Sequence, residues 1–113
     1  MEYLVLIYEH EKRWDDLDDA GREAIYEGHG EFGRKLVEHG HTLRTTSELQ
    51  ASPTARTVRG TADEFIVTDG PFAESAEQLG GFYIIGTDDL DDLTALTALM
   101  SFGRPIEIRP IAS

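Results

Sequence analysis

Cysteine is absent from this 113-residue chain, which excludes a disulfide scaffold, a thiolate metal cage, a cysteine nucleophile and a dithiol redox pair. Basic residues are scarce: ten Lys and Arg stand against twenty-two Asp and Glu, a formal charge of −12. That excess repels a phosphate backbone or an anionic surface, so no nucleic-acid partner is expected. Nothing approaches the roughly 18 consecutive apolar residues of a membrane span. The opening apolar run, Tyr3 to Tyr8, has no basic residue ahead of it and acids directly behind, unlike a signal peptide. No membrane partner is expected either, and a cytoplasmic protein is the default. What is present suffices for one domain over residues 1–113, because 40% hydrophobic residues can bury a core.

Tyr3 to Tyr8 is rich in strand formers and predicts a first strand, followed by an acidic loop from Glu9 to Asp19 that holds the only tryptophan, Trp14. From Ala20 to Glu38, Ile25, His29, Phe32 and Leu36 recur at steps of four, three and four, the stripe of an amphipathic helix. Gly40 is its natural stop. Gly28, Gly30 and Gly33 weaken that helix by roughly 1 kcal/mol each relative to Ala, so it relies on packing and on close backbone approach to a neighbour. His41 to Leu49 predicts a second strand, ended by Ser52-Pro53-Thr54. Thr57-Val58 and Phe65 to Thr68 form a short hairpin, and Asp69-Gly70-Pro71-Phe72 forces a turn. After a polar connection from Ala73 to Leu79 and Gly80-Gly81, Phe82 to Ile85 is a buried strand. Asp88, Asp89, Asp91 and Asp92 crowd the start of a second helix carrying Leu90, Leu93, Leu96, Leu99 and Met100. Ile106 to Arg109 alternates between Pro105 and Pro110 as a closing strand.

Two strand-helix-strand units predict an α+β, ferredoxin-like sandwich with an inserted β-hairpin and both helices on one sheet face. Two helices cover only that face. The first strand and Phe82 to Ile85 are apolar on both alternations, so the open face is expected to meet a second copy, giving a homodimer.

The string VTDGPFAESAEQLGGFYII from Val67 to Ile85 resembles the signature of the DGPF branch of the YCII-related proteins. The opening strand, a helix ending in Gly40, Thr57-Val58-Arg59 and the closing Ile106 to Ile111 are similar to that family too, so nearly the whole chain takes part. The resemblance implies a dimeric α+β barrel without a bound organic cofactor, and a pocket shared by a histidine and an aspartate. It implies no defined reaction; members of the branch often accompany sigma factors of the extracytoplasmic-function type. One position departs: Ala76 precedes Glu77 where the family commonly has lysine, so no anion contact from that side chain is expected.

Asp69 at a strand exit and His29 on the packed stripe are the expected catalytic pair, the carboxylate holding one imidazole tautomer so that the ring can accept a proton. The alternative is an aspartate bonding its own turn and a satisfied core histidine. Tyr26 and Phe72 are candidates for lining the mouth of a substrate pocket, and His10 at the end of the first strand is a further candidate. His39 and His41 lack the i, i+4 spacing of a helical metal pair, with no Cys or evident carboxylate companion, so no metal is expected. Gly28-x-Gly30-x-x-Gly33 lies inside a helix and is no dinucleotide loop. No serine sits in a nucleophile elbow, and the Asp88 to Asp92 cluster lacks calcium-loop spacing. The function expected is acid/base chemistry on a small organic substrate without a cofactor. Its alternative is a non-catalytic dimeric module for small-molecule binding or regulation.

Overall fold

The computed structural model describes residues 1–112. Strand β1 (Glu2–His10) leads into α1 (Glu11–Asp16) and α2 (Asp19–Glu38), then β2 (Thr42–Glu48), a 3-10 turn at Ser52–Thr54, β3 (Arg56–Gly60) and β4 (Phe65–Asp69). Strand β5 (Glu77–Gly86), α3 (Leu90–Thr97), a 3-10 turn at Ala98–Met100 and β6 (Ile106–Pro110) complete the chain. The main sheet is antiparallel in the order β2-β5-β1-β6, and β3 pairs with β4 alone. This mixed α+β arrangement agrees with a ferredoxin-like fold. No described helix is long and apolar enough to cross a membrane.

Alternation sorts the strands. Tyr3, Val5 and Ile7 of β1 and Tyr83 and Ile85 of β5 point to one face, where Phe32 and Leu36 of α2 and Leu93 and Leu96 of α3 close over them with Met100. Leu4, Leu6, Phe82 and Ile84 point the other way, form a half-buried apolar stripe and meet no helix. Gly28 is where α2 comes nearest the turn after α3: a Cβ there would lie 2.5 Å from the Phe102 ring and 2.7 Å from the Leu99 carbonyl oxygen. The Asp18 carboxylate accepts from the Gly21 amide at 2.7 Å to start α2, and Gly40, at φ +80°, reverses the chain at its end.

Two segments differ from the sequence expectation. Glu11 to Asp16 is helical although it was expected as loop; at six residues it has no stripe to read, and its cap is the His10 ring, which accepts from the Arg13 amide at 3.3 Å. Strand β5 starts at Glu77 rather than Phe82, because Glu77, Gln78 and Leu79 pair with His10, Glu9 and Tyr8 across a bulge that the polar composition hid. The β3–β4 hairpin stands off the main sheet and leaves Val58, Phe65, Ile66 and Val67 exposed. With this arm the radius of gyration is 16.0 Å, against about 13 Å for a compact chain of similar length.

Candidate functional site

A cavity of about 740 Å³ opens between α1, the first half of α2, the end of β2 and the middle of β5. Its inner wall is His29. The stripe that carries Ile25, Phe32 and Leu36 into the core turns the His29 ring toward β5, where Nδ1 lies 2.7 Å from the Tyr83 hydroxyl. On the other side, Nε2 lies 3.0 Å from Nη2 of Arg104. A guanidinium only donates, so Nε2 accepts and the ring proton resides on Nδ1, donating to the Tyr83 oxygen. Tyr83 keeps its own O–H proton for another acceptor.

Arg104 is itself over-determined. Its Nη1 donates to Glu9 Oε2 at 2.7 Å, its Nη2 to the Met100 carbonyl at 2.6 Å and its Nε to the Ser101 carbonyl at 3.2 Å. The Arg104 and Glu9 side chains are only 11% and 17% exposed, so this ion pair is held in a weakly screened setting. Burial and, next, the Arg104 charge push the His29 pKa below its ordinary value, against a smaller pull from Glu48. Burial raises the Tyr83 phenol, which the Thr46 side chain and the Arg104 charge partly offset. Both groups are therefore neutral over the physiological range.

The outer wall is acidic and aromatic. Glu9, Glu11, Asp15 and Glu48 line the cavity with Trp14 and Tyr26, and Arg104 is its cation. The Tyr26 hydroxyl donates to Glu48 Oε1 at 3.0 Å, and the Tyr26 ring packs edge-on to Trp14 with centroids 5.7 Å apart. Glu11 accepts from the Ser52 amide at 2.7 Å, tying the loop after β2 to α1.

The expected residues are thus divided. His29 and Tyr26 are on the cavity wall, whereas Asp69, paired with Arg56 at the base of the hairpin, and Phe72, in the loop after it, do not line it. The structure does not bring Asp69 to His29: both imidazole nitrogens are engaged by Tyr83 and Arg104, and Asp69 pairs opposite Arg56 in β4. The turn has its own reason for that sequence, since the Gly70 amide donates to the Ala55 carbonyl at 2.7 Å and Gly70 takes φ +108°. Phe72 is 75% exposed and carries the Arg59 guanidinium 5.1 Å above its ring. His10 caps α1 and borders a smaller neighbouring cavity. Arg104 and Tyr83 were missed. Tyr83 alternates with Ile85 and was legible as a sheet residue facing the helices, while Arg104 sits in an aperiodic loop with no signal. His39 and His41 do have a carboxylate companion: Asp92, from the first turn of α3.

A small α+β protein with an open, largely apolar chamber carrying a few placed polar groups between its helices and its sheet is the class these features define. The chain belongs to the YCII-related family, whose domain matches residues 1–112. It is also 37% identical over 119 aligned residues to an uncharacterized protein, R00369, of Rhizobium meliloti (strain 1021), with 99% of this chain and 93% of that protein covered.

Proposed function

We propose that the cavity binds a small neutral or cationic organic molecule and that Tyr83, held by His29, delivers a hydrogen bond or proton to it. The observation that carries this reading is the two-sided engagement of His29, at 2.7 Å to Tyr83 and 3.0 Å to Arg104. With Nδ1–H donating to Tyr83, the phenolic proton is available to a ligand oxygen or nitrogen in the cavity. Should that proton transfer, the phenolate left behind is stabilised by the His29 N–H and by the Arg104 charge, as a preorganised donor set does. Glu48 lies on the same sheet face as Thr46, which is opposite Tyr83, so the cavity wall that holds the acid also carries a carboxylate able to act as base. Proton transfer leading to isomerisation or elimination suits that pair. In this reading His29 positions the acid instead of relaying through Asp69. Four carboxylates against one arginine disfavour an anionic ligand.

The second reading is a binding module without catalysis, and one observation favours it: among the described residues no buried side-chain polar atom lacks a partner. A saturated network suits a rigid receptor as well as an enzyme. Assembly and branch belong to the same proposal. The apolar stripe of Leu4, Leu6, Phe82 and Ile84 on the open sheet face supports a homodimer closing into an α+β barrel, which sedimentation would register as twice the 12.6 kDa chain mass. Asp69-Gly70-Pro71-Phe72 supports the DGPF branch.

The test is a fragment titration followed through the His29 and Tyr83 ring resonances, using small amines, neutral carbonyl compounds and carboxylates. Amines and carbonyl compounds are expected to shift both rings, and Tyr83→Phe to abolish the response. Carboxylates binding best, or no fragment reaching either ring, would overturn the reading.

A further inference from the structure

A second constellation lies outside the cavity, where α2 ends and α3 begins. His41, at the head of β2, has a side chain only 3% exposed. Its Nε2 is 2.7 Å from Asp92 Oδ2 and its Nδ1 is 2.7 Å from Thr87 Oγ1. His39 turns Nδ1 to the same carboxylate, 2.9 Å from Oδ2 and 3.1 Å from Oδ1. One ligand atom from each of the three residues falls within 4.8 Å of the other two. The positive φ of Gly40 makes this possible: the chain reverses between the two histidines, and their rings lie 24° from parallel with centroids 6.4 Å apart.

We propose that His39, His41 and Asp92 form a binding site for one divalent transition-metal ion of the zinc, cobalt or nickel kind. Two imidazoles and one carboxylate are the donor set that borderline metals select, whereas calcium and magnesium take oxygen shells. Three protein ligands leave a position for water or a small ligand, and the side chains of His39 and Asp92, 37% and 32% exposed, keep that side open. The outer contacts fit the same role. Without a metal His41 Nε2–H donates to Asp92; a metal takes the place of that proton, and Thr87 Oγ1, which accepts from the Asp89 amide at 2.9 Å, has a further lone pair to accept the proton moved to His41 Nδ1. Hydrogen bonds from His41, then His39, hold the Asp92 carboxyl below its ordinary pKa, so it presents an anion. Exposed Asp88, Asp89 and Asp91 add local negative charge. Metal–ligand lengths of about 2.0–2.2 Å set tetrahedral donors roughly 3.3 Å apart, so the 2.7 and 2.9 Å contacts to the carboxylate open slightly as the metal enters, a movement the part-exposed His39 and Asp92 side chains allow.

Calorimetric titration of the chelator-treated protein with zinc chloride tests the site, with cobalt chloride as a spectroscopic probe. One ion per chain is expected, together with visible cobalt bands of imidazole coordination. His39→Asn and Asp92→Asn change surface side chains and are each expected to weaken zinc binding beyond the roughly 10–100-fold typical of losing an outer contact. Thr87→Val, which removes the positioning hydroxyl, is expected to fall within that range and to alter the cobalt spectrum. Stoichiometry well below one, featureless cobalt absorption by the unaltered chain, or zinc affinity unchanged in a folded His39→Asn, Asp92→Asn double variant would each overturn the proposal.

Discussion

Arg104 places Nη2 3.0 Å from Nε2 of His29 and so fixes which nitrogen of that ring carries the proton. A charged donor beside the lone pair makes protonation of the imidazole unfavourable. The histidine is thereby a neutral hydrogen-bond donor to Tyr83, a different role from the carboxylate-oriented base that His29 and Asp69 together suggested in sequence.

Removing the guanidinium tests this directly. Arg104→Gln is expected to raise the His29 pKa toward its ordinary value and, by stranding the largely buried Glu9 carboxylate, to destabilise the fold by about 3 kcal/mol. Asp69→Asn is expected to leave the imidazole titration where it was, because Asp69 makes no contact with the ring. Histidine titration by NMR reads both.

Stability should respond to mild acid. The folded His29 pKa lies below the unfolded value of about 6.5, so the unfolded chain binds more protons between the two. Its contribution is then complete above about 6.5 and is lost as pH falls through the lower folded value. Denaturant midpoints across that window are expected to decline, with a shallower slope in His29→Gln. Asp92 acts in a separate window, below its ordinary carboxyl pKa of 3.8, where protonation removes its preference for the folded state.

Tyr83→Phe removes the acceptor for His29 Nδ1–H. Leaving that half-buried donor unpaired is expected to cost about 1–3 kcal/mol in chemical denaturation. His29→Phe together with Tyr83→Phe is expected to cost less than the sum of the two single changes, since the His29 Nδ1–H and its Tyr83 acceptor leave together and only the Arg104 Nη2–H loses its partner.

Two glycines of α2 should respond with opposite signs. Gly28→Ala drives a methyl into Phe102 and the Leu99 carbonyl and is expected to destabilise by about 1–3 kcal/mol. Gly33 faces open space, so Gly33→Ala is expected to stabilise by up to ~1 kcal/mol. Thermal unfolding distinguishes them.

The scaffold was legible where periodicity reports burial. Ile25, His29, Phe32 and Leu36 announce α2 and the inward direction of His29, and the alternation of Tyr83 with Ile85 announces the face it meets. Interactions made by aperiodic segments were not. Arg104 follows Gly103, whose φ is +81°, and reaches Glu9, ninety-five residues away, so no local pattern encodes it. Asp92 reads in sequence as a helix-start acid, and that reading hides its long-range contact with His39 and His41. Asp69 is ambiguous for the reverse reason: Asp-Gly-Pro suits the turn that follows exposed β4 whether or not chemistry occurs there.

The protonation state of His29 tests the central claim most directly. Long-range ¹⁵N–¹H correlation spectra of the ring, recorded above the ordinary histidine pKa, are expected to show a protonated Nδ1 and a bare Nε2 in the unaltered protein. A proton on Nε2, or a ring still doubly protonated there, would contradict the Arg104–His29–Tyr83 arrangement and the donor role assigned to Tyr83.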